Sequence, residues 1–576
     1  MSLVVIVGGI VVVTIRHYTD PNVPPKSDTL EPSTINSLQD NKIQQHKNIQ
    51  DGDHLTSINM NQLLRERLVH YCDGRQNEIL NKYKCTTVWV NNKFRYDYSV
   101  VHHKDSISLK AKNKKTAEWL IDQYISYLSY ADTCIKAGDL PPNIIDFEES
   151  FDRNFDFVYR EPHFSPNLEK RYEPYSGANS VEEYWDLWGH NLYDELNKYG
   201  LMNSAFIKGK TKQICFSEKT LFNNVITYLN NRAESNNYDK LRSHRFVIMP
   251  LDNMTACDCS LCRKQGNTWK YATPAIIDFL DRLTDKFPDY AFYTVAYHST
   301  QTPPKKPPKH LAGVLLSTSD LPQGITLDPQ NDTIKVFVET ANAWKNHTDT
   351  LFVWDYAANF NDFLTPLPVL YVLKKKLNFY RDCGISGIFL QGSGYDYSPF
   401  DDVKTFVATA LMINGQLDVD ELCRRYFAHF YPVSAEILAN YYLSMEKTME
   451  QRGKGFDIHG NMNKAVESYF QVDVFLAFYK NLEMLLKMKE MDGDEKNRLE
   501  KLLSALSYTW LQLELFRQIK SYDITRINEK TIHITPETET VIKRLLEYKN
   551  HGFKKYKETH GELQNYLGYW NKYTKK

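Results

Sequence analysis

The sequence predicts an α/β fold: a (β/α)8 TIM-like barrel preceded by a small α/β domain and followed by an all-α C-terminal domain. Between residues 154 and 400, short apolar runs alternate with helix-like stretches eight times. Eight such units in about 250 residues are typical of this barrel. No glycine-rich phosphate-binding motif opens any of the helix-like stretches, so a dinucleotide-binding or P-loop fold has no support.

The apolar runs are the predicted strands of the barrel. They cover residues 155–159, 184–188, 213–216, 245–249, 291–296, 313–316, 351–353 and 387–389. Because ligands in this fold bind at the C-terminal strand ends, the residues that follow these runs should line one cleft.

The N-terminus combines an apolar run with a polar stretch. Residues 3–15 carry no charge and are apolar apart from Thr14. As a helix, thirteen residues span about 20 Å, short of the roughly 30 Å hydrocarbon core of a bilayer. We therefore predict a signal peptide or signal anchor over residues 1–15, with a buried strand as the alternative. Residues 16–60 contain four prolines and a Gln/Asn/Asp/Lys run, which is typical of a linker.

This N-terminus predicts an exported protein that is periplasmic or at the cell surface, and any membrane contact should be through the apolar segment alone. The rest of the chain divides into three predicted domains. Residues 61–150 form the small α/β domain, 151–400 the barrel and 401–576 the helical domain. Apolar positions recur at helical spacing from residue 403 onward.

Composition narrows the class of partner. Lys+Arg 70 against Asp+Glu 71 gives a formal net charge of −1, so no summed field recruits nucleic acid. Aromatic residues make up 13% of the chain. Aromatic faces stack on sugar rings, and they also fill large cores.

Polar and aromatic residues follow the predicted strands. They are Arg160, Glu161, His190, Asp252, Tyr297, His298, Trp354, Asp355, Tyr356 and Gln391. Carboxylates from different strands beside aromatic rings suit glycoside chemistry, in which one acid protonates the leaving oxygen and another group stabilises the oxocarbenium-like state. The strand ends therefore predict a glycan site.

Five segments carry a family resemblance: EYWDLWGHNL (183–192), LDNMTACDCSLC (251–262), AFYTVAYHSTQTPPKKPPKHLAGVLLS (291–317), LFVWDYAANFNDFLTPLPVL (351–370) and GISGIFLQGSGYDYSPFDDVKTFVATAL (384–411). They resemble domain-of-unknown-function family 4838, in order from about residue 85 to 445. The resemblance extends to glycoside hydrolase family 163, whose members are endo-β-N-acetylglucosaminidases. It also extends to the α-glucuronidase and β-hexosaminidase barrels. It implies a glycoside hydrolase of the envelope of a Bacteroidetes-type bacterium, acting on a glycan that contains N-acetylhexosamine or a uronic acid.

Roles follow from the strand ends, and the resemblance adds that Asp252 matches an Asp at the end of the family's fourth strand. Asp252 and Asp355 are the predicted catalytic pair, with Glu161 in reserve; a substrate acetamido group could replace a protein nucleophile. The predicted substrate-binding residues are Arg160, His190, Tyr297, His298, Trp354, Tyr356 and Gln391.

Two positions depart from the related enzymes. Asn253 follows Asp252 where related hexosaminidases have a second acid, and Leu390 stands where we expect relatives to carry a Glu. These departures favour the alternative function, a catalytically inactive glycan-binding barrel in polysaccharide capture or assembly.

The motif Cys257-x-Cys259-x-x-Cys262 directly follows the fourth predicted strand. Three cysteines this close can share a structural zinc ion, with Cys215, His244 or His298 as the fourth ligand. A disulfide with one free thiol, or three reduced cysteines, are the alternatives. No cofactor is expected for catalysis.

Overall fold

The computed structural model describes residues 4–7, 10–13, 58–83, 85–104, 106–169, 177–208, 212–234, 244–489, 491–526 and 532–574. At the N-terminus, strand β1 (Val4–Val7) pairs antiparallel with β2 (Ile10–Val13). Valine and isoleucine are β-branched and favour strands. None of the helices that the structure describes is long and apolar enough to cross a membrane. The exported location stays a prediction, and most of the predicted linker lies outside the described residues.

The next unit is a five-stranded mixed sheet packed against helices. Its strands are β3 (Ile58–Asn59), β4 (Cys85–Val90), β5 (Tyr98–His103), β6 (Ser106–Ala111) and β7 (Phe151–Arg153), in the order β3-β4-β6-β5-β7. Its helices are Asn61–Tyr71, Gln76–Tyr83 and Lys114–Ala131. Asn113 caps the third helix by accepting a hydrogen bond from the Thr116 N–H. The unit has its own hydrophobic core, in which Tyr98 packs edge-on against Trp119.

A parallel sheet occupies the middle of the chain. The strands, in chain order, are β8 (Tyr159–His163), β9 (Ile207–Lys208), β10 (Gln213–Ile214), β11 (His244–Val247), β12 (Tyr290–Ala296), β13 (Gly313–Ser317), β14 (Leu351–Tyr356) and β15 (Gly387–Gln391). Six of them form one sheet in the order β11-β12-β13-β14-β15-β8, and every pair in it is parallel. The described residues therefore form a curled half-barrel of six strands.

Three of the eight predicted strands differ from expectation. The run 155–159 meets β8 (Tyr159–His163) only at Tyr159, so Arg160 and Glu161 lie within the strand. The run 184–188 contributes one parallel bridge, between Leu187 and Phe246. The run 213–216 supplies β10, which pairs antiparallel with β9 outside the sheet. In the last two runs, side chains contact other parts of the fold: Trp185 packs on the concave side of the sheet, and Gln213 hydrogen-bonds the loop after β11.

Side chains alternate between the two faces of the sheet, as strand geometry requires. Tyr159, Tyr293, Phe352 and Phe389 pack on the concave side with Trp185. Their neighbours along the strands face the surrounding helices. Those helices are Lys219–Ala233, Thr273–Lys286, Asp332–Lys345, Leu370–Asp382 and Asp401–Ile413.

The described residues beyond the sheet and its flanking helices are mainly helical. The helices are Val419–Phe430, Ala435–Arg452, Met462–Ser468, Val472–Leu485, Gly493–Ile519, Pro536–Leu546 and Leu563–Thr574. They share one hydrophobic core with the helix-facing side of the sheet. Two of their connecting loops reach the segment after β14, because the Phe360 N–H donates to Ile458 O (2.7 Å) and the Glu558 N–H donates to Phe360 O (2.9 Å). The helical region therefore contributes to the C-terminal end of the sheet.

Candidate active site

A cavity of about 320 Å³ lies at the C-terminal ends of the parallel strands. Its lining residues are His190, Met249, Asp252, Val295, Tyr297, Ser317, Ser319, Trp354, Tyr356, Phe360, Gln391, Ile458, His459 and Glu558. The structure thus brings together six of the predicted site residues, from five of the eight predicted strand ends. They are His190, Asp252, Tyr297, Trp354, Tyr356 and Gln391.

One wall of the cavity is an ordered aromatic surface. Trp354 stacks on Trp188 with ring centroids 5.0 Å apart and an interplanar angle of 22°. The Trp354 Nε1–H also donates to Gln391 Oε1 at 2.6 Å. Stacking and hydrogen bonding together fix the orientation of the indole, as a platform for a sugar ring requires. Sequence reasoning missed Trp188, although it stands in the motif 183–192.

Two tyrosines supply hydroxyl groups to the cavity. Burial raises the pKa of Tyr356 to about 12, and its hydroxyl lies 3.4 Å from Ser317 Oγ. Burial also raises the pKa of Tyr297, and the neighbouring Asp252 carboxylate adds to this shift. Both phenols therefore remain protonated near neutral pH and can donate hydrogen bonds to a ligand.

His190 has a defined tautomer. Its Nδ1 lies 2.6 Å from the carbonyl oxygen of Pro250. A carbonyl oxygen only accepts hydrogen bonds, so Nδ1 carries a proton, and Nε2 is the ring nitrogen that remains to contact a ligand. Gly189 has φ +62°, a left-handed conformation that glycine adopts without strain, and the chain turns there between Trp188 and His190.

Asp252 is exposed at the edge of the cavity, and its segment is held by one buried side chain. Gln213 Oε1 accepts from the Leu251 N–H at 2.8 Å. Its Nε2 donates to Leu251 O at 2.9 Å and to Asn253 Oδ1 at 2.7 Å. Gln213 therefore holds the two residues that flank Asp252, Leu251 through its backbone and Asn253 through its side chain. We call these hydrogen bonds the Gln213 clamp.

The helical region supplies residues that sequence reasoning missed. Glu558 and His459 line the cavity from two loops that follow the sheet in the chain. The His459 ring lies 5.9 Å from that of Phe360, and the Glu558 N–H bonds to Phe360 O. No local signal marks either residue, because only the packing of distant loops brings them to the strand ends. Among the described residues, Asp252 and Glu558 are the carboxylates that line the cavity.

The predicted role of Asp355 needs correction. Its side chain is buried on the helix-facing side of β14, where Oδ1 lies 2.5 Å from Lys376 Nζ and accepts from Thr318 Oγ1 at 2.6 Å. Successive strand residues face opposite sides, and Trp354 and Tyr356 face the cavity. Asp355, between them, therefore faces away and does not form a catalytic pair with Asp252.

The same alternation changes the meaning of Leu390. It pairs with Asp355 in the register of β14 and β15 and is buried in the core that includes the helices. Gln391, the next residue, lines the cavity. An acid at position 390 would face the helices, so Leu390 is not evidence against catalysis.

Three other predicted residues lie outside the lining of the cavity. Glu161 is buried on β8 with its carboxylate 3.1 Å from His163 Nδ1. Arg160 is buried, donates to Phe157 O at 2.6 Å and to Gly177 O, and burial lowers its pKa to about 10. His298 packs against Tyr297, with ring centroids 3.8 Å apart. The Arg160 side chain therefore donates to backbone carbonyl groups, and its role is structural.

The three cysteines of the motif, which follows Asp252 in the chain, form a cluster with Cys215. The sulfurs of Cys215, Cys257, Cys259 and Cys262 all lie within 4.8 Å of one another. His244, one of the predicted fourth ligands, instead contacts Asp186, with Nδ1 3.0 Å from Oδ2. Cys215 thus occupies the position proposed for the fourth ligand.

The fold is that of an α/β protein with a cavity at the C-terminal ends of parallel strands. The model of the family described as "Domain of unknown function (DUF4838)" matches residues 129–443, and the chain belongs to this family. No curated protein matches the chain.

Solved structures similar to this chain include glycoside hydrolases. A GH138 enzyme targeting pectin rhamnogalacturonan II has 10% identity and TM-score 0.33, over 79% of this chain and 67% of that one. CpGH84B has 11% identity and TM-score 0.34, over 82% and 85%. A family 89 glycoside hydrolase from Clostridium perfringens in complex with 2-acetamido-1,2-dideoxynojirmycin has 9% identity and TM-score 0.43, over 85% and 64%.

Proposed function

We propose that this protein is a glycoside hydrolase that acts on an N-acetylhexosamine-containing glycan of the bacterial envelope. One observation carries the proposal: a fixed indole platform, Trp354, and two carboxylates, Asp252 and Glu558, line the same cavity at the strand ends. Stacking positions a sugar ring, and carboxylates at its edge can protonate the leaving oxygen or stabilise the developing positive charge.

In this proposal Asp252 is the general acid. Gln213 clamps its backbone, and the phenols of Tyr297 and Tyr356 can orient sugar hydroxyl groups. Glu558 is the second carboxylate, either as nucleophile or as base toward water. Where Glu558 does not react, the acetamido group of the substrate can take the place of a protein nucleophile.

The charge of the cavity favours an N-acetylhexosamine over a uronic acid. None of the described residues that line it is a lysine or arginine, whereas Asp252 and Glu558 are acidic. A uronate carboxylate is best recognised by an arginine or lysine side chain. A neutral amino sugar avoids repulsion from the two acids.

Binding without hydrolysis is the second candidate function. One observation favours it. Of the three carboxylates that the sequence predicted as catalytic, Asp252 lines the cavity, whereas Asp355 and Glu161 are buried outside its lining. A glycan-binding protein would need the platform but no paired acids.

A panel of glycans distinguishes the two functions. The full chain is incubated with neutral N-acetylhexosaminides and with uronate-containing oligosaccharides, and binding and product release are scored separately. We expect both binding and release with the N-acetylhexosaminides. Binding without release would favour the second candidate, a preference for uronates would contradict the substrate class, and no binding to any member would overturn both candidates.

A further inference from the structure

Four cysteine sulfurs are arranged at the spacing of a metal site. Cys215 Sγ lies 3.4 Å from Cys259 Sγ and 3.6 Å from Cys262 Sγ. In a tetrahedral site with Zn–S bonds of about 2.3 Å, the sulfurs are about 3.8 Å apart. A disulfide would need about 2.05 Å. The four sulfurs therefore surround a point that a single ion can occupy.

Most of the cysteine cluster is enclosed by protein. Cys215, Cys257 and Cys262 are buried, and the N–H groups of Ser217 and Cys259 donate to the sulfurs of Cys262 and Cys257. Such hydrogen bonds orient and stabilise ligand sulfurs in metal sites. Lys208 forms an ion pair with Glu218, and it also interacts electrostatically with Cys215 and Cys259.

The cluster joins two chain segments at the edge of the cavity. Cys215 follows β10, whereas the other three cysteines follow β11 and continue into the helix Ser260–Gln265. Gln213, two residues before Cys215, makes the hydrogen bonds that clamp residues 251–255. Anything that fixes Cys215 against Cys257 therefore also fixes this clamp and the backbone of Asp252.

We propose that Cys215, Cys257, Cys259 and Cys262 bind one zinc ion, and that this ion positions the Asp252 segment. Four sulfur ligands fill the tetrahedron, so the ion is structural and has no open position for a substrate. Zinc binding stands independently of the reaction, whereas the positioning role rests on the proposed glycoside hydrolase function.

Metal analysis of the full chain tests the site. We expect one zinc per chain, its loss in Cys259→Ser, and its recovery in Cys259→His, because imidazole is also a zinc ligand. Cys134→Ser, a thiol change outside the cluster, is the matched control and should keep the zinc. Replacement of zinc by cobalt should give the absorption bands of a tetrahedral thiolate site. A metal-free protein with two of these sulfurs joined in a disulfide, or one that contains iron, would overturn the proposal.

Hydrogen exchange and turnover test the positioning role. In folded Cys259→Ser, we expect faster exchange of the Leu251 amide and a turnover lower by about a hundredfold, the typical cost of a misplaced catalytic group. Cys259→His should restore both. If Cys259→Ser loses zinc but keeps amide protection, the positioning role is wrong and the zinc site stands. If the zinc-loaded parent never releases product, the proposed function fails and the zinc site still stands.

Discussion

Asp355 and Lys376 form a buried ion pair, with Oδ1 and Nζ 2.5 Å apart, between β14 and the helix Leu370–Asp382. Their side chains are 0% and 4% exposed, and Lys376 Nζ also donates to Gln323 Oε1 at 2.8 Å. Removal of one member of such a pair leaves a charge that neither water nor a partner compensates. The pair therefore joins this helix to the sheet, and loss of either member should destabilise that contact.

The first prediction concerns this pair. Asp355→Asn should lower the free energy of unfolding by about 3 to 5 kcal/mol, because it leaves the Lys376 ammonium buried without its charge partner. Thermal and urea denaturation measure the change. Turnover per folded molecule should match the parent, and Asp355→Leu combined with Lys376→Met should be more stable than Asp355→Asn. A stable Asp355→Asn that has lost turnover would instead make Asp355 catalytic.

The second prediction concerns Asp252. Asp252→Asn should lose turnover by about a hundredfold or more, because an amide cannot protonate the leaving oxygen. Glycan binding should survive, since stacking on Trp354 is unchanged. Steady-state kinetics and calorimetric binding measure the two effects. Asp289→Asn is the matched control, because Asp289 is exposed and directly precedes β12, at the end of the strand opposite Tyr297. An Asp252→Asn variant that hydrolyses at the parent rate would remove Asp252 from the mechanism.

The third prediction assigns a role to the helical region. Glu558→Gln should reduce turnover by about a hundredfold or more if Glu558 is the second carboxylate, with little change in glycan affinity. Glu562→Gln, four residues further on and exposed, should behave as the parent. Single-turnover kinetics separate the chemical step from binding. Equal rates for Glu558→Gln and Glu562→Gln would favour the acetamido group of the substrate as the nucleophile.

The fourth prediction concerns the aromatic platform. Trp354→Ala should weaken glycan binding by about tenfold, because an aromatic contact contributes on the order of 1 kcal/mol beyond the area it buries. Calorimetry with the best glycan of the panel measures the affinity. Trp89→Ala is the control, since Trp89 is 40% exposed on β4, outside the cavity. Unchanged affinity of Trp354→Ala would mean that the glycan binds elsewhere.

The fifth prediction is a pH dependence of stability. Burial raises the pKa of Asp362 to about 6, while Thr365 and the Leu364 N–H donate to its carboxylate. Because the folded-state pKa lies above the unfolded value of about 3.9, this group contributes stability below pH of about 4 that is lost as pH rises through about 6. The loss is on the order of 2 to 3 kcal/mol.

Asp362→Asn removes this titration, and the amide can still accept from the backbone and donate to Thr365. The melting temperature of Asp362→Asn relative to the parent should therefore rise as pH increases from about 4 to about 7. Asp289→Asn, an exposed carboxylate, should show no such trend. A constant difference across this range would show that Asp362 is not the titrating group.

The sequence predicted the parallel strands where a run of apolar residues is buried on both sides, as in β12, β14 and β15. Such runs carry a local signal, because every side chain in them must avoid water. These predicted strands also led to the correct prediction that Tyr297, Trp354 and Gln391 lie at the cavity. The position of a strand in the sequence determines which residues lie near its C-terminal end. The cysteine spacing likewise predicted three members of the cluster.

Tertiary structure decided the rest. Successive strand residues lie on opposite faces of the sheet, so Trp354 faces the cavity and Asp355 faces the helices. Which of the two faces the cavity depends on the elements that pack on each face of the sheet. Glu558 lies far along the chain from Asp252, and their approach depends on loops that dock on Phe360. Gln213 lies outside the six-stranded sheet, and its side-chain amide hydrogen-bonds the backbone of Leu251, next to Asp252. Local sequence determined which segments could become strands and helices, whereas long-range packing and hydrogen bonding determined which carboxylates share the cavity.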